Sequence, residues 1–397
     1  MGPKRLRKRL AELESAGLRR RLSEVESPQG RVIRVAGRDY LNFSSNNYLG
    51  LADSPELRAA FARGIERWGV GSGASRLVNG SLQPFHRLET ALAEFKAAEA
   101  ALLFNSGYHA NLGALGSLTE TGDVVFSDEL NHASMIDGIR LGKARRVIYR
   151  HHSIADLREK LEAERRVRAP EAVFLIATET VFSMDGDLCP LEELLELAET
   201  YDAWLYLDEA HATGVFGERG GGLSESFRAR PGFGERVIQM GTLGKALGCF
   251  GAYVAGSRDL IDYLVNRARP FIFTTALPPA LAEAALEALS LVAAGDGRRK
   301  ALAARMAQLQ ARLDENRSGP ALSVVSPILP IVVGTPERAL RLSAALREAG
   351  FWISAIRPPT VPEGTARLRL TLMATHTEED VDRLAECLLR EIVEKRD

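Results

Sequence analysis

From about residue 100 to residue 255 the chain alternates short β-rich runs with helical stretches, and this alternation leaves few folds open. The runs are Ala101-Leu-Leu-Phe104, Val124-Val-Phe126, Arg146-Val-Ile-Tyr149, Ala172-Val-Phe-Leu-Ile-Ala177, Trp204-Leu-Tyr-Leu207, Val237-Ile-Gln-Met240 and Ala252-Tyr-Val-Ala255. Helical patterns such as 154–163 and 190–201 separate them, which predicts a mostly parallel seven-stranded sheet wrapped by helices, an α/β fold. The runs are apolar almost throughout, as strands covered on both faces must be.

After Pro278 and Pro279 a long Ala/Leu-rich helical stretch runs to about residue 314. Beyond it the pattern changes to a strand at 328–333, a helix at 336–349, strands near 351–356 and 366–372, and a helix from Glu378 to Lys395. This reads as a smaller α+β domain. The expected division is an N-terminal helical arm and strand over 1–45, a large ligand-binding domain over 46–285 and the small domain over 286–397.

Charge and composition exclude several classes of function. Lys and Arg number 51 against 52 Asp and Glu, without the basic excess of a nucleic-acid-coating protein. No apolar run approaches a membrane span. Cys189, Cys249 and Cys387 are odd in number and far apart, which argues against a disulfide framework or structural zinc and for a reducing cytoplasm. The first 22 residues form a basic amphipathic helix with Glu12 and Glu14 in it and no apolar core, so it reads as a solvated helix rather than a targeting signal.

Two motif-like stretches lack the context their chemistry needs. Gly69-Val-Gly71-Ser-Gly73 follows a helix instead of a strand, against the dinucleotide fingerprint. Asp208-Glu-Ala-His211 spells a helicase-type acidic motif, but no GxxxxGK[ST] phosphate loop accompanies it, which disfavours a nucleic-acid ATPase. The seven His show no metal-site spacing, and no metal is expected.

The informative residues lie where predicted strands end, because ligands of open parallel sheets bind there. Asp208 ends one run, His211 follows it, Glu179 and Ser183 follow another, and Lys245 sits in a Gly turn after a third. A buried ion pair with caps would explain such a trio structurally. A site for pyridoxal 5′-phosphate (PLP) explains it chemically: that cofactor needs a Lys for its aldehyde, an acid for its pyridine nitrogen and donors for its phosphate. Lys245 and Asp208 suit the first two. Thr242 and the turn Asn105-Ser106-Gly107-Tyr108, which opens a helix, suit the phosphate. His132 could stack on the ring.

Seven segments carry a family resemblance. They are Asn42-Phe-Ser-Ser-Asn46-Asn-Tyr-Leu-Gly50, Gly71-Ser-Gly-Ala-Ser-Arg76, Asn105-Ser-Gly-Tyr-His-Ala-Asn111, Asn131-His-Ala-Ser134, Val181-Phe-Ser-Met-Asp-Gly186, Leu207-Asp-Glu-Ala-His-Ala-Thr-Gly214 and Gly241-Thr-Leu-Gly-Lys-Ala-Leu-Gly248. In this order, over almost the whole chain, they resemble the α-oxoamine synthases, PLP enzymes of the aspartate-aminotransferase fold (fold type I). The resemblance implies Lys245 as the cofactor lysine, Asp208 on the pyridine nitrogen, His211 on the ring hydroxyl, His132 stacked on the ring and Ser183 near the cofactor oxygen. Thr274 and Thr275 match a segment that reaches the neighbouring subunit's phosphate, implying a homodimer with shared sites.

The stretch from Ala355 to Thr371, with Arg357-Pro358-Pro359, is most similar to the family branch that condenses L-alanine with a pimeloyl thioester in biotin biosynthesis. Arg76 departs from part of that branch, where a smaller residue stands. The resemblance implies Arg357 for the alanine carboxylate, Asn46 as a substrate contact and Arg19 for the far carboxylate of the acyl chain. The thioester carrier is left open between coenzyme A and an acyl carrier protein. A glycine C-acetyltransferase of the same family is the alternative activity.

Overall fold

The computed structural model describes residues 3–295, 297–315 and 322–393. Their strands, in chain order, are β1 (Val32–Val35), β2 (Arg38–Asn42), β3 (Ala100–Phe104), β4 (Val124–Asp128), β5 (Arg145–Tyr149), β6 (Phe174–Glu179) and β7 (Ala203–Asp208). They continue with β8 (Val237–Thr242), β9 (Ala252–Gly256), β10 (Ile328–Gly334), β11 (Phe351–Trp352), β12 (Ser354–Ile356) and β13 (Ala366–Thr371). The chain forms two compact units, one of residues 51–183 and 187–299, the other of residues 1–50, 184–186 and 300–397.

The larger unit holds the seven-stranded sheet, ordered β3-β9-β8-β7-β6-β4-β5. Strands β5, β4, β6, β7 and β8 run parallel, and only β9 runs against its neighbours. The carboxyl ends of β3, β4, β6, β7 and β8 therefore open on one edge. Alternate residues feed two cores: Leu175, Ala177, Tyr206 and Met240 pack with Met135, Ile139 and Leu264 on one face. Phe174, Ile176, Leu205 and Leu207 pack with Leu157, Leu161 and Leu194 on the other. Two buried faces explain the unbroken apolar runs, except at the edge strand β5, where Arg145, Arg146 and Ile148 are exposed.

In the smaller unit, β11 pairs in parallel with β2, so a three-stranded sheet joins sequence positions more than 300 residues apart. A second sheet has the order β10-β13-β12. Helix Pro3–Ser15 leaves Leu6, Leu10 and Leu13 exposed. The expected long helix after Pro279 is two helices, Pro279–Ala293 and Arg298–Asp314. Gly295 and Gly297 break it with φ of +67° and +88°, a conformation that suits glycine. The last expected helix spans Glu378–Val393; its expected end at Lys395 lies outside the described residues.

Candidate active site

The parallel register sets the site. Glu179 and Asp208, the last residues of β6 and β7, are partners in the ladder, so their side chains leave the same face of the sheet side by side. Lys245 lies three residues beyond β8, in a Gly turn. Its Nζ is 2.8 Å from His211 Nε2.

Asp208 is 4% exposed and held at both oxygens. Oδ1 accepts from the Ala210 N–H at 2.9 Å, and Oδ2 accepts from Asn111 Nδ2 at 2.9 Å. Asn111 also donates to Ser134 Oγ at 2.8 Å and accepts from the Tyr206 hydroxyl at 2.8 Å. Ser134 Oγ is 2.7 Å from His132 Nδ1, and the Ser134 N–H donates to that same nitrogen at 3.3 Å. His132 thus caps helix Ala133–Leu141 with Nδ1 as acceptor, which puts the ring proton on Nε2. Burial holds its pKa below the usual value, against the pull of Asp208. This network ties Asp208 to His132 through Asn111 and Ser134. Both connecting residues close family segments in the sequence, Asn105 to Asn111 and Asn131 to Ser134, but nothing in those segments links them to each other or to Asp208.

Glu179 is pushed up to about 8, first by burial and then by the Asp208 charge. Its Oε2 accepts from the Ser183 N–H at 3.2 Å, which places Ser183 beside it.

Ser106 caps helix Gly107–Leu115, its Oγ accepting from the His109 N–H at 3.2 Å. At Gly107 an added Cβ would meet nothing within 4 Å, so the helix start is open to a ligand. Tyr108 is directed to Asp137 through its hydroxyl. Thr242 Oγ1 donates to the Gly251 carbonyl at 3.0 Å and accepts from the Gly244 N–H at 3.2 Å, which shapes the Lys245 turn. Asn105 Nδ2 donates to Thr274 Oγ1 and to the carbonyl of Thr275, an exposed residue.

PLP fits this donor set. There is a lysine for the aldehyde, a doubly hydrogen-bonded carboxylate at the strand end for the ring nitrogen, an imidazole for the ring face and an open helix N-terminus for the phosphate. The buried Oε1 of Glu179, which makes no hydrogen bond among the described residues, is a polar atom such a ligand can satisfy.

The remaining candidates belong to the smaller unit. Asn46 Oδ1 accepts from Arg369 Nη1 at 3.1 Å and from the Tyr48 hydroxyl at 3.2 Å. Arg357 donates to the Gly17 carbonyl. Burial and the nearby Arg20 lower its pKa. Arg20 donates to Thr360 Oγ1 at 2.9 Å, whereas Arg19 is paired with Glu14 at 2.8 Å. Arg76, in the larger unit, forks onto Glu89 with two 2.9 Å bonds under Phe85 and Phe271, a packing role that accounts for its size.

The family model for aminotransferase class I and II matches residues 38–388. The chain is 52% identical over 374 residues to an 8-amino-7-oxononanoate synthase of Anaeromyxobacter dehalogenans (strain 2CP-1), covering 94% of this chain and 92% of that protein. It is 48% identical over 381 residues to the enzyme of the same name from Chromobacterium violaceum, covering 96% and 97%. Among solved structures, a serine palmitoyltransferase from S. paucimobilis with a bound PLP-myriocin aldimine superposes with a TM-score of 0.89 at 29% identity, covering 97% and 96%. An 8-amino-7-oxononanoate synthase from Francisella tularensis gives 0.74 at 30% identity, covering 89% and 98%. The chain therefore belongs to the PLP-dependent class I and II aminotransferase family, within the group formed by the 8-amino-7-oxononanoate synthases.

Proposed function

We propose that the protein condenses L-alanine with a pimeloyl thioester, releasing carbon dioxide and free thiol and forming 8-amino-7-oxononanoate for biotin biosynthesis. The observation that carries this reading is the Lys245–His211 contact beside the Asp208–Asn111–Ser134–His132 network, in a chain about half identical to synthases of that name. PLP, when bound, supplies an electron sink for the alanine α-carbon after its proton is lost.

The side chains divide the remaining work. Asp208, fixed at both oxygens, keeps a proton on the pyridine nitrogen, and His211 orients Lys245 and the ring hydroxyl. The Lys245 amine takes the α-proton. His132, with its proton on Nε2, donates to the thioester carbonyl oxygen while the new carbon–carbon bond forms and the thiol leaves. Ser106, Gly107, Tyr108 and Thr242 would hold the phosphate, and Ser183 would serve the ring oxygen. Arg357 clamps the alanine carboxylate, Asn46 contacts the substrate, and Arg19, with Arg20 near Arg357, supplies cations for the far carboxylate of the acyl chain.

A second copy of the chain completes the site through Thr275. Val70, Leu77, Val78, Phe250 and Phe273 are apolar and exposed in the single chain, which supports a homodimer. The basic N-terminal residues suit an acidic acyl carrier protein as thioester donor. Three free cysteines support a reducing cytoplasmic location.

The test is a substrate panel of alanine, glycine and serine against pimeloyl and acetyl thioesters, with product mass as the readout. Alanine with pimeloyl thioester gives 8-amino-7-oxononanoate. A product only from glycine with the acetyl thioester would move the enzyme to the glycine C-acetyltransferase branch.

A further inference from the structure

Two carboxyls stand side by side at the strand ends, and their surroundings differ. Asp208 accepts two hydrogen bonds at 2.9 Å. Glu179 is 2% exposed, its Oε2 accepts one bond from the Ser183 N–H at 3.2 Å, and its Oε1 is buried without a hydrogen bond among the described residues. Two neighbouring carboxyls in a dry site do not both ionise, because each charge penalises the other. The shared proton belongs on the carboxyl that keeps a buried oxygen without a hydrogen bond among the described residues, and that group is Glu179.

We propose that Glu179 is a positioning residue that sits in the cradle as a neutral acid, leaving Asp208 as the single negative charge at these strand ends, and that loss of its proton sets the alkaline limit of cofactor binding. The proposal rests on the reading of these strand ends as the PLP site. Every element packed against the carboxyl contributes to its state. Burial and Asp208 of β7 favour the neutral acid; Lys245 after β8, the Ser183 N–H and the His132 backbone after β4 oppose it, and the balance falls at about 8. An ionised Glu179 would hold Lys245 as an ammonium, and an ammonium cannot condense with an aldehyde. The neutral acid removes that ion pair with Lys245 and offers an O–H at Oε1 to an oxygen of the bound ligand.

The test compares wild type with Glu179→Gln, whose amide has the shape of the neutral acid and does not titrate. PLP uptake by the apoprotein is followed by quenching of protein fluorescence across the pH range on either side of 8. The expected result is a wild-type apparent Kd that, relative to Glu179→Gln, rises about tenfold per pH unit above the transition. A second readout needs no cofactor: infrared difference spectra of the apoprotein, with isotope-labelled Glu, should show a protonated-carboxyl band that disappears as pH passes about 8 and is missing from the variant. Should Glu179→Gln fail to fold, that band in the wild type decides. Uptake with identical pH profiles in the two proteins, or no protonated-carboxyl band at neutral pH, overturns the proposal alone. No uptake by the wild type at any pH overturns the cofactor-site reading and the proposal with it.

Discussion

Lys245 Nζ and His211 Nε2 are 2.8 Å apart although 34 residues separate them in the chain. Adjacent parallel strands β7 and β8 end at the same edge, and the segments that follow them return to one point. In the proposed reaction Lys245 has two jobs, fixing the cofactor and moving the α-proton. Lys245→Ala should lose the visible absorbance of the PLP-loaded protein and roughly 10²–10⁴-fold in kcat. Spectra of purified protein with added PLP, together with single-turnover rates, check this. An unchanged spectrum would remove Lys245 from its role.

Asn111 holds Asp208 by a charge-assisted bond and serves as acceptor for the buried Tyr206 hydroxyl. Asn111→Ala leaves both groups short of a partner. The expected cost is about 1.5–3 kcal/mol in unfolding free energy, with weaker PLP binding. Urea titrations with and without PLP separate the two effects.

His151 joins two carboxylates: Nδ1 meets Asp128 Oδ1 and Nε2 meets Asp187 Oδ2, each at 2.9 Å. Burial disfavours the imidazolium, but these two acids outweigh it and raise the pKa to about 10. The folded value exceeds the unfolded one of about 6.5, so the stabilisation is complete below that pH and fades as pH rises through about 10. Thermal unfolding of wild type should therefore show a falling Tm across that window, and His151→Gln should flatten it. Parallel curves for the two proteins would count against the clamp.

Lys96 and Glu209 are both fully buried and paired, and Ser224 adds two hydrogen bonds of 2.9 Å to the Glu209 carboxylate. Lys96→Met strands the acid and should cost about 3–5 kcal/mol, whereas Lys96→Met with Glu209→Leu should recover part of the loss. Chemical denaturation of the single and double variants measures the coupling. Glu209 belongs to the Asp-Glu-Ala-His stretch, and its pairing with Lys96 gives it a structural place there.

Arg357 is the residue on which alanine recognition is expected to turn. Arg357→Lys keeps the charge and loses the fork, so the KM for alanine should rise roughly tenfold to a hundredfold with a smaller change in kcat. Steady-state kinetics with alanine as the varied substrate test it. A fall in kcat with KM unchanged would place Arg357 elsewhere in the reaction.

The alternation of apolar runs and helical patterns was enough to predict the sheet and its two covered faces, because a strand buried on both sides can be little else than apolar. Asp208 and Lys245 were legible for a related reason: polar side chains at the ends of such runs have few structural uses. The network of Asn111, Ser134 and Tyr206 was not legible, although the first two close family segments and the third lies in an apolar run. Their importance comes from hydrogen bonds across 23 to 97 positions of sequence, which no local pattern encodes. The break between the helices after Pro279 was missed because Ala and Leu favour helix on both sides of Gly295 and Gly297. Local propensity and the polarity of strand ends thus determined the α/β class and the cofactor chemistry. Only the tertiary structure, through the in-register pairing of β6 with β7, brought Glu179 beside Asp208, and the protonation of that pair depends on burial and distance, which a sequence does not contain.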